Sequence, residues 1–270
     1  MSFAPNLGRR LATAAVAIPL LVLALFAAPP WVLVAVVALA CALGLHEMFA
    51  LLSAAAVRPL PVAGFVAAAL LFAGTVDGWP VSPLAAAAVV VAWVALRGVS
   101  DYGDAARAAM GTLFAATYLG ALGGTMAGLR TLAPLDEGPW RVALLLAIVM
   151  MADSAAYFAG SAFGRRKLAP RISPAKTWEG AAGAVLGGIV AAIVVRRLGL
   201  PRLPLLDAVA LGAAVAVAGT AGDLFESLLK RWAGVKDSGT LFPGHGGMLD
   251  RLDSLLFAAP VLYYYFLYAL

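Results

Sequence analysis

Residues 140–160 read WRVALLLAIVMMADSAAYFAG. An α-helix needs about 20 mostly apolar residues to cross the hydrocarbon of a bilayer, and this stretch supplies them with one acid, Asp153, in its interior. A carboxylate at that depth costs about 2.5–3.5 kcal/mol on insertion scales, so it calls for a partner or a water-filled cavity. Read outward from here, the chain gives about nine spans, near 11–28, 31–52, 60–76, 81–96, 105–129, 140–160, 178–195, 205–229 and 249–269. Composition agrees: of 270 residues, 63% are hydrophobic and 12% charged, against about 45–50% and about 25% in soluble domains. A soluble globule of this size could not hide that excess, and a disordered chain would be polar. The fold predicted is an all-α integral membrane protein, a polytopic helical bundle of about nine transmembrane helices. It forms one membrane domain, with an N-terminal bundle over 1–139 and the motif-bearing region over 140–270.

Charge sets the expected orientation. With the N-terminus in the cytoplasm and nine alternating helices, fourteen of the 19 Lys and Arg residues fall on the cytoplasmic side. Only Arg130, Arg141, Arg196, Arg197 and Arg202 fall on the other, which is the positive-inside asymmetry. The first span follows Arg9 and Arg10, is long for a signal-peptide core and lacks a small-residue cleavage site, so it is expected to remain as a helix. The single cysteine, Cys41, excludes an intramolecular disulfide. The net charge of +5 comes without an aromatic-interleaved basic domain, so nucleic acid is not an expected partner. Gly120, Gly124 and Gly128, and again Gly183 and Gly187, recur every four residues, a spacing that lets helix backbones approach closely in lipid.

The acids are unevenly placed. His46-Glu47 lies inside the second span, but position 50 is Ala50, so a two-histidine zinc helix fails. The pair reads as polar groups facing the bundle interior. Later in the chain, Asp223, Glu226, Ser227 and Lys230 fall at i, i+3, i+4 and i+7, one stripe of a helix. Asp250, Asp253 and Ser254 repeat the first three of those positions. If the two faces meet, their oxygens converge. They then form either interhelical ion pairs with Lys230, Arg231 and Arg251 or an oxygen site for Mg²⁺ completed by phosphates. Spacing leaves both open.

Two basic loops flank these helices on the expected cytoplasmic side. Residues 230–247, KRWAGVKDSGTLFPGHGG, form a glycine-rich loop feeding a helix, where free backbone N–H groups and a positive helix end suit phosphate oxygens. Residues 164–180, GRRKLAPRISPAKTWEG, form the second, with Ser173 expected as an N-cap and Pro174 as the first residue of a helix. Two polycationic loops over a carboxylate cluster describe a site for a polyphosphate and a metal. A Walker loop, a Rossmann glycine fingerprint and a Ser-His-Asp arrangement are all missing from the sequence.

The residues Ser227, Lys230-Arg231, Lys236-Asp237, Pro243, His245-Gly246-Gly247, Asp250-Arg251 and Asp253-Ser254 resemble the signature of the phosphatidate cytidylyltransferases, or CDP-diacylglycerol synthases. Asp153-Ser154-Ala155-Ala156-Tyr157, Gly160, Gly164, Ser173-Pro174 and Lys176-Thr177-Trp178-Glu179-Gly180 resemble a second block of that family. Ala175 departs, standing where a polar or basic residue is common. The likeness covers about the last 120 residues and implies a catalytic region over 140–270. It implies cytidylyl transfer from CTP to phosphatidate, giving CDP-diacylglycerol and pyrophosphate in phospholipid biosynthesis, by in-line attack at the α-phosphorus.

The resemblance also implies roles. Asp223 and Asp250 would hold Mg²⁺, with a second cation such as K⁺ beside it. Lys230, Lys236 and Asp237 would join them in catalysis. Arg231, His245, Gly246, Gly247, Lys176, Ser173, Arg251 and Asp153 would bind substrate, and Glu226, Ser227, Asp253 and Ser254 would support these groups from behind. It further implies CTP, bilayer phosphatidate and membrane lipid as partners, a homodimer, and a multi-pass place in the cell inner membrane with N-terminus and active site cytoplasmic. A cation-coupled transporter would use intramembrane acids too, but it predicts inverted repeats, and here the acids crowd the second half. A CDP-alcohol phosphatidyltransferase wants an Asp-Gly start that Asp104-Ala105-Ala106-Arg107 lacks. A structural scaffold would not place five acids in its spans.

Overall fold

The computed structural model describes residues 22–23, 25–78, 81–97, 101–239 and 246–269. Eight helices run through the described residues: α1 (Pro30–Ala54), α2 (Pro61–Val76), α3 (Val81–Arg97), α4 (Tyr102–Thr131), α5 (Gly138–Phe163), α6 (Trp178–Gly199), α7 (Leu205–Trp232) and α8 (Leu249–Tyr268). An antiparallel hairpin, β1 (Lys167–Ala169) and β2 (Ser173–Thr177), joins α5 to α6. Five helices (α1, α4, α5, α6 and α7) are long and apolar enough to cross a membrane, whereas α2 and α3 have 16 and 17 residues. The protein is thus an all-α membrane protein, and eight of the expected spans match helices. The full nine is not what the structure describes. The span expected at 11–28 lies mostly outside the described residues, except that Leu25 is buried and Phe26 packs edge-on against Trp140 at 4.9 Å.

Local chemistry sets the helix starts. Pro30 and Pro61 occupy the first turns of α1 and α2, where a missing N–H costs nothing. Asp101 caps α4 by accepting from the Asp104 N–H at 2.8 Å. The start of α6 corrects an expectation. Ser173 and Pro174 do not open a helix; they lie in β2, with Ser173 opposite Ala169. A two-stranded ribbon leaves each strand an unpaired edge, so a proline without an N–H is tolerated there. The Trp178 N–H donates to the Arg166 carbonyl at 3.0 Å, and Thr177 caps the helix by accepting from Gly180 N–H at 3.1 Å.

The glycine stripes pack as expected. A Cβ on Gly187 would sit 2.7 Å from the Ala155 Cβ and 2.8 Å from the Met151 carbonyl, so α5 and α6 touch through their backbones. Gly188 and Gly212 bring α6 onto α7 in the same way, and Gly124 brings α4 against Phe72 of α2. A π-turn at Thr117–Ala121 interrupts α4, a feature that shifts side-chain register and is common near functional sites. It turns Tyr118 inward among Phe114, Phe225 and Phe257, with ring centroids 5.8–6.0 Å apart.

The bundle has two unlike ends. At one, Arg141 is 1% exposed and donates to the Leu132 and Ala133 carbonyls at 2.8 and 3.1 Å and to Glu137 at 3.2 Å, pinning the α4–α5 loop. At the other end the C-terminal parts of α1, α5 and α7 meet the starts of α6 and α8 together with the hairpin.

Candidate active site

At that second end, acids from α5, α7 and α8 gather around two lysines. Asp223 and Asp250 hold matching positions. The Lys176 Nζ lies 2.6 Å from Asp223 Oδ2, and the Lys230 Nζ lies 2.6 Å from Asp250 Oδ1. Lys230 also pairs with Glu226, which is 0% exposed and whose Oε1 meets no hydrogen-bond donor among the described residues. The i, i+3, i+7 stripe on α7 is therefore real, and it faces α8 as the spacing suggests. Asp253 lies within electrostatic range of Asp153, Asp223 and Lys230. It also receives the Ser254 N–H at 2.6 Å.

The two acids differ in surroundings. Asp223 and Asp153 line a cavity of about 410 Å³ together with Lys176, Tyr157, Thr177 and Thr220. Beyond Lys176, the Asp223 carboxylate has, among the described residues, only a long 3.5 Å contact from the Ser227 hydroxyl. Asp250 is held from all sides. Its Oδ2 accepts the Ser238 N–H at 3.1 Å, the Ser238 hydroxyl at 2.8 Å and the Gly247 N–H at 2.8 Å. Gly246 reaches this arrangement with φ +80, and a Cβ there would lie 2.7 Å from Asp250 Oδ2. Only glycine fits both demands.

One residue of this site was read differently from sequence. Glu47, on α1, is buried while its neighbour His46 is exposed, so the two do not act as a pair. Glu47 accepts the Met248 and Leu249 N–H groups at 2.9 and 2.8 Å and faces the Ser238 hydroxyl at 3.1 Å. It does for α8 what a cap residue does, since Met248 offers no side-chain cap. Gly239 and Gly247 give it room: a Cβ on Gly239 would come within 2.5 Å of Glu47 Oε1. Ser238, too, was passed over in the sequence between Asp237 and Gly239. The signal for Glu47 was present as an acid inside a span, but its partners lie some 200 residues away.

Other expected residues divide. Lys176, Asp153, Glu226, Ser227, Asp253 and Gly247 are gathered here. Ser254 is buried on α8, next in sequence to Asp253. Lys236 and Asp237 are exposed on the loop after α7, outside the acid cluster. Arg231 is exposed and its guanidinium reaches the Val235 carbonyl at 3.4 Å; Arg251 is exposed as well. Ser173 belongs to the hairpin pairing. His245 lies outside the described residues.

The oxygen donors suit a hard cation. Among the described residues no three His, Cys, Asp or Glu side chains stand close enough to cage a metal by themselves. Mg²⁺ seldom asks for that, since it binds through one or two carboxylates and completes its shell with water and phosphate. Each of Asp223 and Asp250 already carries an ammonium at 2.6 Å, so both carboxylates are placed to receive positive charge.

Comparison with known proteins identifies the family. The model of the cytidylyltransferase family matches residues 8–269. The chain belongs to that family. It is 44% identical over 127 residues to the phosphatidate cytidylyltransferase of Haemophilus influenzae, covering 46% of this chain and 44% of the relative. It is 45% identical over 136 residues to that of Thermotoga maritima, covering 48% and 50%. It is 45% identical over 134 residues to the uncharacterized protein YnbB of Escherichia coli, covering 50% and 45%. The chain spans about half the length of these curated relatives.

Proposed function

We propose that this cytidylyltransferase-family protein transfers the cytidylyl group of CTP to phosphatidate, forming CDP-diacylglycerol and pyrophosphate. The observation that carries the reading is the pair of lysine-bound carboxylates, Asp223–Lys176 and Asp250–Lys230, gathered at one end of the bundle, the first of them in the cavity wall. Two of the relatives above carry phosphatidate cytidylyltransferase as their name.

A phosphatidate oxygen attacks the α-phosphorus of CTP, a P–O bond forms, and the bond to the β-phosphate breaks with its electron pair leaving on pyrophosphate. Little covalent chemistry falls to the protein, so positioning and charge neutralisation dominate. Asp223 and Asp250 are the residues that would hold Mg²⁺. That ion would supply charge neutralisation to the phosphates. Lys176, paired to Asp223, and Lys230, held between Glu226 and Asp250, contact phosphate oxygens. Lys176 lies in the cavity wall with Tyr157 of α5, which is 71% exposed. A lipid phosphate can therefore enter sideways while its chains stay in the bilayer. Pulling them out would cost about 0.8 kcal/mol per CH₂. We place the protein in the bacterial inner membrane with this end cytoplasmic, where CTP is found.

The direct test supplies labelled CTP and phosphatidate to the purified protein with Mg²⁺. Label passing into a lipid-soluble product, with pyrophosphate released in equal amount, supports the reading. Hydrolysis of CTP without a lipid product would end it.

A further inference from the structure

The cations of the hairpin between α5 and α6 divide. Of its five cations only Lys176 turns into the cavity. Arg165, Arg166, Lys167 and Arg171 are all exposed, and none makes an ion pair among the described residues. Glu179, the one acid in 161–180, points its carboxylate at the backbone N–H groups of Arg165 and Arg166, at 3.1 and 3.3 Å. It fixes the root of the hairpin through the backbone and leaves the four side chains exposed.

The depth of the hairpin is set by its flanks. Phe163 at the end of α5 and Trp178 at the start of α6 are 71% and 60% exposed, and Phe158 and Tyr157 continue the apolar face along α5. Exposed aromatics at helix ends mark the boundary between hydrocarbon and headgroups. The four cations therefore stand at headgroup level. They also stand beside the mouth of the cavity, because Leu168 of β1 and Ala175, Lys176 and Thr177 of β2 form its wall.

We propose that this hairpin is a docking surface for anionic lipid headgroups, which it concentrates in the leaflet next to the cavity. The partner is the membrane surface, not the nucleotide: none of the four cations lines the cavity that holds Asp153 and Asp223, and their aromatic flanks are exposed. Attraction between one surface cation and an anionic leaflet is worth about fivefold, and salt weakens the effect. The link to catalysis rests on the phosphatidate reading above; the surface itself does not.

The test compares the wild type with a triple variant, Arg165→Gln, Arg166→Gln and Arg171→Gln, both reconstituted in phosphatidylcholine vesicles. Electron paramagnetic resonance of spin-labelled phosphatidylglycerol, set against spin-labelled phosphatidylcholine, reports which lipid the protein retains at its surface. The wild type should prefer phosphatidylglycerol severalfold at low salt and lose that preference at high salt, and the variant should lose it at both. In a parallel assay the variant should need a several-fold higher surface fraction of phosphatidate for half-saturation, with KM for CTP and the saturated rate unchanged. A variant that keeps the lipid preference overturns the proposal and leaves the cations as topological markers alone. A rise in KM for CTP with lipid preference intact overturns it in favour of nucleotide binding. Loss of preference together with a wild type that makes no CDP-diacylglycerol leaves the docking surface standing and sinks the proposed reaction instead.

Discussion

Asp223 and Asp250 sit on neighbouring helices with a lysine at 2.6 Å each, yet their settings are opposite. Asp223 borders an open cavity and has few other bonds. Asp250 is tied by the Ser238 N–H and hydroxyl, by Gly247 and, one step further, by Glu47 of α1. A carboxylate with few partners can exchange them for a substrate or an ion. One with a full set on Oδ2, as Asp250 has, holds a loop in shape and keeps Oδ1, paired to Lys230, for an ion. The difference teaches that equal motif positions divide into an exchanging half and a fixed half, and substitutions should separate the two.

The largest effect is expected at Lys230, which pairs with both Glu226 and Asp250. Lys230→Met leaves two acids without their cation in a buried place, a change that costs about 3–5 kcal/mol. Thermal unfolding of the detergent-solubilised protein should fall by many degrees, with cytidylyl transfer lost. An unshifted midpoint would show that the inner group is not the fixed one. Next comes Glu47→Ala, which strands the Met248 and Leu249 N–H groups. Leaving buried donors unmet costs about 1–3 kcal/mol, and Glu47→Gln should recover only part of it, since its amide can present N–H to N–H. Gly246→Ala should cost about 1–2 kcal/mol from its left-handed backbone and crowd Asp250, lowering activity more than stability. The smallest change in stability is expected for Asp223→Asn. Asp223 is part exposed and its pair is worth about 1 kcal/mol or less, so unfolding should stay near wild type even as turnover collapses. A large loss of stability there would erase the contrast.

Much of the fold was legible because hydrocarbon thickness fixes helix length. The expected spans 60–76 and 249–269 meet Pro61–Val76 and Leu249–Tyr268 almost residue for residue. The acid stripe on α7 was legible because helical spacing alone puts Asp223, Glu226 and Lys230 on one face. What the sequence hid was decided by distant partners. Ser173-Pro174 carries a helix-start pattern, but pairing with Lys167–Ala169 pulls it into a strand. Glu47 becomes a cap only when α8 arrives beside α1. Lys176 finds Asp223 across two helices, whereas Lys236 and Asp237, inside the motif, stay in water. Local pattern names the chemical types; tertiary contact selects which of them meet.

The central claim is that Asp223 and Asp250 together serve cytidylyl transfer. The most direct measurement is CDP-diacylglycerol formation by wild type, Asp223→Asn and Asp250→Asn with CTP, phosphatidate and Mg²⁺, alongside thermal unfolding of each. Both variants should lose at least about 10²-fold in turnover, the scale of one removed charge-stabilising group, with Asp223→Asn still folded like the wild type. Near-normal turnover in a folded Asp223→Asn protein would contradict the account.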